Sequence, residues 1–366
     1  MTKIKEVINY LEIFAPLAHQ ESYDNSGLLT GDKEEEIKGV IITLDCTELV
    51  VQEAIDKGAN LIITHHPIIF SGLKKITGSN YVERTVIKAI KNDIAIYAIH
   101  TNLDNVISGV NHQFAKRLGL KNISILNPKK NTLNKLVTFV PINSKENVLS
   151  ALYKAGAGEI GNYSECSFTN DGIGSFTPNQ KANPTIGSKG KPEKVAESRI
   201  EVIIPADKVS AIIEALKNAH PYEEVAYYIT QTDNTNQALG AGIIGELDEA
   251  LEKNDFLAFL KSNMNLHVIK HTGGPQRKLK KVAICGGSGS FLLNASIKAS
   301  ADVYISADFK YHEYFDAENH LMICDIGHYE SEVATKDLLY DILSKNFSSF
   351  ALNLSEIDTN PISYFK

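Results

Sequence analysis

Short apolar runs alternate with amphipathic stretches in the two outer parts of this 366-residue chain. The apolar runs predict strands, whereas apolar residues at three- and four-residue spacing predict helices. In the first part, strands are predicted at 40–44, 61–64 and 94–99, and helices at 47–57 and 82–91. Near the carboxyl end, strands are predicted at 282–285, 303–306 and 321–326, and a helix at 292–299. This order is typical of βαβ units around a mainly parallel sheet.

The middle of the chain has a different pattern. Strands are predicted at 136–141 and 199–205, each followed by a helix, at 144–155 and 207–219. Residues 171–194 are rich in Gly, Pro, Asn and Lys, which predicts a hairpin with an exposed loop. Two such units with extra strands predict an inserted ferredoxin-like α+β domain. We therefore expect a first half at 1–130, an inserted domain at 131–236 and a second half at 237–366.

Two adjacent histidines, His65 and His66, close the predicted strand at 61–64. Pro67 disfavours a helical conformation at His66, so the chain stays extended there and both imidazoles can project from one rim. Such a pair can bind a metal ion. The alternative is one structural histidine, hydrogen-bonded to the backbone beside a solvated neighbour.

Further side chains of the metal-binding type follow two other predicted strands. Asp104 lies just beyond the last strand of the first part, and His328 follows the last predicted strand of the chain. Glu332 lies four residues after His328, on the same face of a predicted helix. Cofactors of open α/β sheets bind beyond the carboxyl ends of strands, so these side chains are expected to meet the histidine pair there.

The number and kind of these ligands favour two ions. Three imidazoles and two carboxylates exceed the three protein ligands of a typical open catalytic site, but they give each of two ions three contacts if Glu332 bridges them. Mixed nitrogen and oxygen ligation suits zinc, manganese, iron, cobalt or nickel. We expect two divalent transition-metal ions per chain, and zinc is the first candidate for their identity. Because the ligands come from both outer parts, the two βαβ-type halves are expected to pack into one metal-binding α/β domain.

Six motifs occur along the chain, and three of them contain these positions. They are DNSGL at 24–28, THHPIIF at 64–70, HTNLD at 100–104, CGGSG at 285–289, SADFKYH at 306–312 and GHYESE at 327–332. Together they resemble the Nif-three-like family of dinuclear-metal proteins, whose members are also named GTP cyclohydrolase 1 type 2 homologues. The resemblance covers the whole chain. It implies that the metal ligands are His65, His66, Asp104, His328 and Glu332, with Glu332 shared by both ions.

The resemblance also implies properties beyond the ligand set. Members of the Nif-three-like family are known for ring-shaped hexamers, which implies that this chain forms a homo-oligomer. The family name implies hydrolytic opening of the GTP ring. The segment HPYEEVAYYI at 220–229 is similar to a segment of CutA and PII-like domains. This implies a PII/CutA-like insertion, for which a packing or lid role and a sensing role are the alternatives.

A glycine-rich segment follows the strand predicted at 282–285. The amides of Gly286, Gly287, Ser288 and Gly289 could bind an anionic group of a substrate or cofactor, because they precede a predicted helix. The alternative is a tight strand-to-helix turn that needs glycine.

Three other polar residues lie at strand ends. Lys310 and His312 are candidate catalytic residues, since either could bind an anion or transfer a proton. The alternative for each is an exposed or supporting position. Asp45 is expected to orient His65 or His66 by a hydrogen bond to a ring nitrogen.

Composition narrows the partners and the compartment. A formal net charge of -7 argues against a general nucleic-acid binder, and 43% hydrophobic residues are ample for a packed core. We find no apolar stretch of membrane-spanning length and no signal-peptide pattern, so no membrane association is expected. The four cysteines form no CxxC pair, which fits a reducing cytoplasm.

Two classes of function fit these features. The first is metal-assisted hydrolysis of a nucleotide or phosphate-bearing heterocycle, in which metal-bound water attacks a carbon or phosphorus centre. The second is a metal-dependent regulatory protein that binds a small anionic effector without turnover. The ligand pattern is compatible with both.

Overall fold

The computed structural model describes residues 2–365. The chain divides after Asn127 and after Gln237 into two compact units. The outer unit consists of the chain up to Asn127 and of the chain from Ala238 onward. Pro128–Gln237 forms the inserted unit. No helix in the described part of the chain is both long enough and apolar enough to cross a membrane.

The helices and strands follow the chain in this order. The first outer segment contains α1 (Ile4–Phe14), β1 (Gly27–Thr30), β2 (Gly39–Asp45), α2 (Glu48–Asp56), β3 (Leu61–His66), α3 (Tyr81–Lys91), β4 (Ala95–Ala98), α4 (Thr101–Asp104), α5 (Val110–Arg117) and β5 (Lys121–Pro128). The inserted unit contains β6 (Leu133–Pro141), α6 (Lys145–Lys154), β7 (Ser167–Phe176), β8 (Glu193–Pro205), α7 (Val209–Ala219) and β9 (Tyr227–Gln231). The second outer segment contains β10 (Gly240–Leu251), α8 (Lys253–Asn263), β11 (Lys270–His271), β12 (Leu279–Ser288), α9 (Leu293–Lys298), β13 (Val303–Ala307), β14 (Met322–Asp325), α10 (His328–Glu332), α11 (Thr335–Ser344) and β15 (Ala351–Leu354). Short 3₁₀ helices lie at Leu17–His19, Ile142–Ser144, Ala206–Lys208, Ser290–Leu292 and Tyr311–Ala317.

The first sheet of the outer unit has the order β1-β4-β3-β2-β15. Strands β4, β3, β2 and β15 run parallel, and β1 is antiparallel to β4. The predicted parallel arrangement is therefore confirmed for this part. Parallel pairing places the carboxyl ends of β2, β3 and β4 at one edge, where Asp45 stands opposite His66.

The second sheet has the order β11-β14-β13-β12-β10-β5. Strands β12, β13 and β14 are parallel, β10 is antiparallel to β12, and β11 is antiparallel to β14. Each half of the chain adds a strand to the sheet of the other half: β5 joins the second sheet and β15 joins the first. The halves are thus held together by backbone pairing as well as by side-chain packing, in an α/β fold as expected.

The inserted unit is a four-stranded antiparallel sheet with the order β7-β8-β6-β9. Helices α6 and α7 bury the apolar side chains of one sheet face, including Leu136 and Ile200. Alternation along the strands directs Phe139 and Arg199 to the other face.

A carboxylate clamp holds the turn before α3. Glu83 accepts hydrogen bonds from the backbone amides and hydroxyls of Thr77 and Ser79 and from the side chain of Asn80. The bonds from Ser79 and Thr77 lower the pKa of Glu83 to about 2. The ionised form is therefore favoured by folding.

We expect Glu83→Gln to lower the melting temperature near neutral pH. Because the folded pKa is depressed, the stabilisation is complete above the ordinary value of 4.5 and is lost as the pH falls towards about 2. The melting temperatures of the wild-type protein and of Glu83→Gln should therefore converge as the pH falls over that interval. Glu249→Gln removes an exposed carboxylate and is the control. A melting-temperature gap that stays constant with pH would contradict the clamp.

Candidate metal centre

The end of β3 positions two imidazoles that are oriented by different acceptors. His65 is 0% exposed, and its Nδ1 donates to the carbonyl of Ile99 at 2.8 Å. His66 Nδ1 donates to Asp45 Oδ1 at 2.7 Å, and Thr359 donates to the other oxygen of Asp45. The predicted supporting role of Asp45 is confirmed for His66. Because each Nδ1 faces an acceptor, Nε2 is the ring nitrogen that each imidazole presents to a metal.

Helix α10 brings two further side chains to His66. Gly327 has φ of +94°, which lets the chain turn from β14 into the helix. His328 Nε2 lies 3.1 Å and His66 Nε2 lies 3.0 Å from Glu332 Oε2. The two Nε2 atoms are 3.3 Å apart. Asp308 Oδ2 accepts from His328 Nδ1 at 2.6 Å, so this imidazole also presents Nε2.

A second group forms around His65. Its Nε2 lies 3.6 Å from Asp104 Oδ1 and 3.9 Å from Glu332 Oε1. Asp104 is the last residue of α4, the short helix that follows β4. The structure therefore brings all five residues predicted as metal ligands to one place.

His100 joins this cluster and was not among the predicted ligands. Its ring packs against those of His65 and His66, with centroids 5.2 and 5.3 Å apart. Its Nδ1 donates to Asp24 Oδ1 at 2.7 Å, and Asp24 Oδ2 accepts from Thr101. The DNSGL motif thus supplies the acceptor that orients His100. The available signal was the position of His100 just beyond β4.

The side chains of the two groups differ in the direction in which their pKa values are shifted. Burial lowers the pKa of His65 to about 3, against the attraction of Glu332. Burial also opposes charge on His66, but its bonds to Asp45 and Glu332 prevail and raise its pKa to about 10. Burial raises the pKa of Asp104 to about 7, and repulsion by Glu332 acts in the same direction. His65 is therefore neutral near pH 7, as a metal ligand must be, whereas His66 must release a proton when it binds an ion.

The donor set fits a divalent metal ion. His65 Nε2 is buried and has no hydrogen-bond partner in the described structure, although an unsatisfied buried polar atom is unfavourable. Three groups could hold an ion, each with its ligand atoms within 4.8 Å: His65, His66 and His100; His66, His328 and Glu332; and His65, Asp104 and Glu332. Bonds of about 2.1 Å place neighbouring ligand atoms roughly 3.0–3.4 Å apart, which agrees with the separations around Glu332 Oε2.

Comparison with known proteins agrees with the motifs. The Duf34/NIF3 (NGG1p interacting factor 3) family matches residues 2–361. The chain belongs to the Duf34/NIF3 family. A Bacillus subtilis relative named GTP cyclohydrolase 1 type 2 homolog is 38% identical over 365 residues, which is 98% of each chain.

Solved structures of similar proteins share the fold. A Bacillus cereus protein related to NIF3 has 38% identity and a TM-score of 0.87, over 100% of this chain and 99% of that one. A Staphylococcus aureus protein has 33% identity and a TM-score of 0.79, with the same coverage.

The glycine-rich segment of this Duf34/NIF3 chain differs from the turn expected after residue 285. Gly286, Gly287 and Ser288 extend β12, where the pairing with β13 is irregular. The Gly286 amide donates to Asn111 Oδ1 and the Gly287 amide to Ser331 Oγ, both at 2.9 Å. These two amides are therefore committed to protein acceptors. Anion binding at Ser288 and Gly289 stays a prediction.

The two predicted catalytic residues lie in an exposed segment. Lys310 precedes the 3₁₀ helix Tyr311–Ala317, and its amide donates to Glu313. His312 packs its ring against Tyr311 and Phe315. It is Asp308, earlier in the same motif, that contacts His328. Catalytic roles for Lys310 and His312 stay predictions.

Proposed function

We propose that this protein is a hydrolase with two divalent transition-metal ions at this centre. The observation that carries the proposal is the position of Glu332. Its Oε2 faces His66 and His328, while its Oε1 faces His65, which Asp104 also approaches, so one carboxylate can serve both groups. Zinc is the first choice, and manganese, iron, cobalt and nickel suit the same donors.

Bound ions would polarise the substrate and lower the pKa of a coordinated water. The protein side chains have separate tasks. Asp45 and Asp308 hold His66 and His328 in the tautomer that presents Nε2. Asp24 does the same for His100, which adds one ring nitrogen beyond the five predicted ligands. Such supporting bonds keep ligands in position for binding.

An aromatic surface beside the centre supports a heterocyclic substrate. The ring of Phe70 lies 6.4 Å from that of His100 and 6.3 Å from that of Tyr23. Phe70 is 50% and Tyr23 is 63% exposed, so their faces are accessible to a flat base. Aromatic side chains stack on bases of any identity. With the name of the relatives, this makes GTP the first substrate to test.

The test compares chelated protein with metal-reconstituted protein. Both are incubated with GTP and with a panel of phosphoesters, and ring opening and phosphate release are followed separately. We expect slow turnover that requires metal and is lost in His66→Ala and Asp104→Ala. Turnover that survives in these variants would indicate a contaminant. If one of these compounds binds tightly only when metal is present and is not turned over, the regulatory proposal would replace the hydrolase proposal.

A second variant tests the heterocyclic substrate. We expect Phe70→Ala to raise KM for GTP about tenfold, because stacking contributes roughly 1–3 kcal/mol per base. Hydrolysis of a phosphoester without a ring should change little. Phe291→Ala removes another exposed ring and is the control. Equal effects of Phe70→Ala on both substrates would argue against stacking at this surface.

We further propose that the protein acts as a homohexamer in the cytoplasm. The hexamer rests on the family resemblance, and light scattering with mass analysis tests it. The compartment is supported by the four cysteines, which form no disulfide.

A further inference from the structure

The inserted unit contains a cavity of about 610 Å³. It lies on the sheet face that α6 and α7 leave uncovered, and the segment between β7 and β8 borders it, with Thr185 and Ile186 in the lining. Small-molecule sites usually enclose about 300–1,000 Å³ and combine apolar walls with a few polar groups. The cavity has this size and this composition.

Two glycines of β7 lie at the base of the cavity and leave room above this strand. Gly172 stands directly opposite Glu197 in the β7–β8 ladder, so the two residues share a sheet face. A Cβ atom at Gly172 would meet nothing within 4 Å. A Cβ atom at Gly174 would lie 2.0 Å from Glu197 Oε2. Glycine at these positions keeps the space free and lets the carboxylate approach the strand.

Glu197 is the main polar group of the cavity. It is 8% exposed, and its Oε1 accepts a hydrogen bond of 3.0 Å from the Tyr222 hydroxyl. Within residues 2–365, no lysine, arginine or histidine nitrogen lies within ion-pair distance of this carboxylate. The bond from Tyr222 engages one carboxylate oxygen, so the other oxygen can accept a hydrogen bond from a cationic or N–H-bearing ligand.

The aromatic rings and the other charged side chains of the cavity also favour a positively charged ligand. Phe139 and Tyr228 line the cavity as an edge-to-face pair at 6.0 Å, and Phe176 and Tyr222 as another at 5.9 Å. Ring faces attract cations. The lining also includes Glu223 and Glu224, whereas its one arginine, Arg199, is paired at 2.6 Å with Glu201 outside the lining.

We propose that this cavity is a binding site for a small organic cation, an amine or amidinium carried on a flat apolar body. Glu197 would neutralise the charge, and the four rings would cover the apolar part. All lining residues belong to the inserted unit, and the proposal does not rest on the hydrolase proposal.

The test uses three probes with the same ring: benzamidine, which is a cation at neutral pH, benzamide, which is neutral, and benzoate, which is an anion. Calorimetric titration of the full chain should show benzamidine binding at least about tenfold more tightly than either of the others. Benzoate binding most tightly would overturn the proposal, and so would the absence of benzamidine binding at millimolar concentration.

Two variants locate the site. Glu197→Gln keeps an acceptor for Tyr222 but removes the charge, so benzamidine should lose its advantage over benzamide. Gly172→Val fills the floor of the cavity with a residue that suits a strand, and should abolish binding of benzamidine. Gly72→Val is the control, because its added side chain also meets open space. Unchanged binding in either cavity variant would overturn the proposal.

Discussion

Replacing Glu332 by glutamine is expected to remove metal from both groups of the centre at once. The side chain is buried, and its two oxygens face different sets of ligands. A neutral amide has one acceptor oxygen and no negative charge, so it cannot serve two cations. We expect metal affinity to fall at least about 100-fold, since even the loss of a supporting residue lowers affinity about 10–100-fold.

Elemental analysis after dialysis, with titration against a chelator, measures this effect. The wild-type chain should retain about two ions, because its donors exceed the needs of one open site. The control is Glu330→Gln in the same helix, where the carboxylate contacts Asn360 and Tyr364. Loss of only one ion in Glu332→Gln would assign Glu332 to a single metal. A wild-type chain that binds one ion, even after soaking in zinc or manganese, would contradict the dinuclear proposal.

Gly287→Ala is expected to disrupt the same centre from the backbone side. Gly287 has φ of +63°, and an added Cβ atom would lie 2.3 Å from Glu332 Oε1 and 3.2 Å from His328 Nε2. Either β12 or both ligands must move. We expect loss of metal and a decrease in the free energy of unfolding, with overpacking contributing about 1–3 kcal/mol.

Gly119→Ala separates overpacking from backbone strain. Gly119 has the same φ of +63°, but a Cβ atom there would meet nothing within 4 Å. Both variants incur the left-handed strain of roughly 1–2 kcal/mol, so the difference between them reports the collision with the ligands. Denaturant unfolding of the metal-free proteins and metal content of the loaded proteins are the two measurements. Equal behaviour of the two variants would show that Glu332 can move without penalty.

Local physics allowed much of the fold to be predicted. The predicted strand at 40–44 is β2 (Gly39–Asp45), and the helix predicted at 82–91 is α3 (Tyr81–Lys91). Hydrophobic periodicity determines such elements because a single strand or helix must bury one face. The same reasoning placed the five predicted ligands at or beyond strand ends, and the structure has them at the end of β3 or in the short helices α4 and α10.

The exchange of β5 and β15 between the halves was not predictable in this way. Neither strand carries a sequence signal that names its partner, because backbone pairing is the same for any two strands. The extent of β12 was also missed, since glycine normally weakens a strand interior. Here Asn111 and Ser331 accept from its glycine amides, and both lie far away in the sequence.

The sequence by itself determined the element types, the α/β class and the five side chains at strand ends, because these depend on neighbours within a few positions. Only the tertiary structure decided what those side chains meet. His100 enters the centre through Asp24, 76 positions earlier, and His66 meets Glu332 266 positions later. The cavity around Glu197 likewise depends on the register that sets Gly172 opposite it. Such contacts follow from packing of the whole chain, which short-range patterns do not specify.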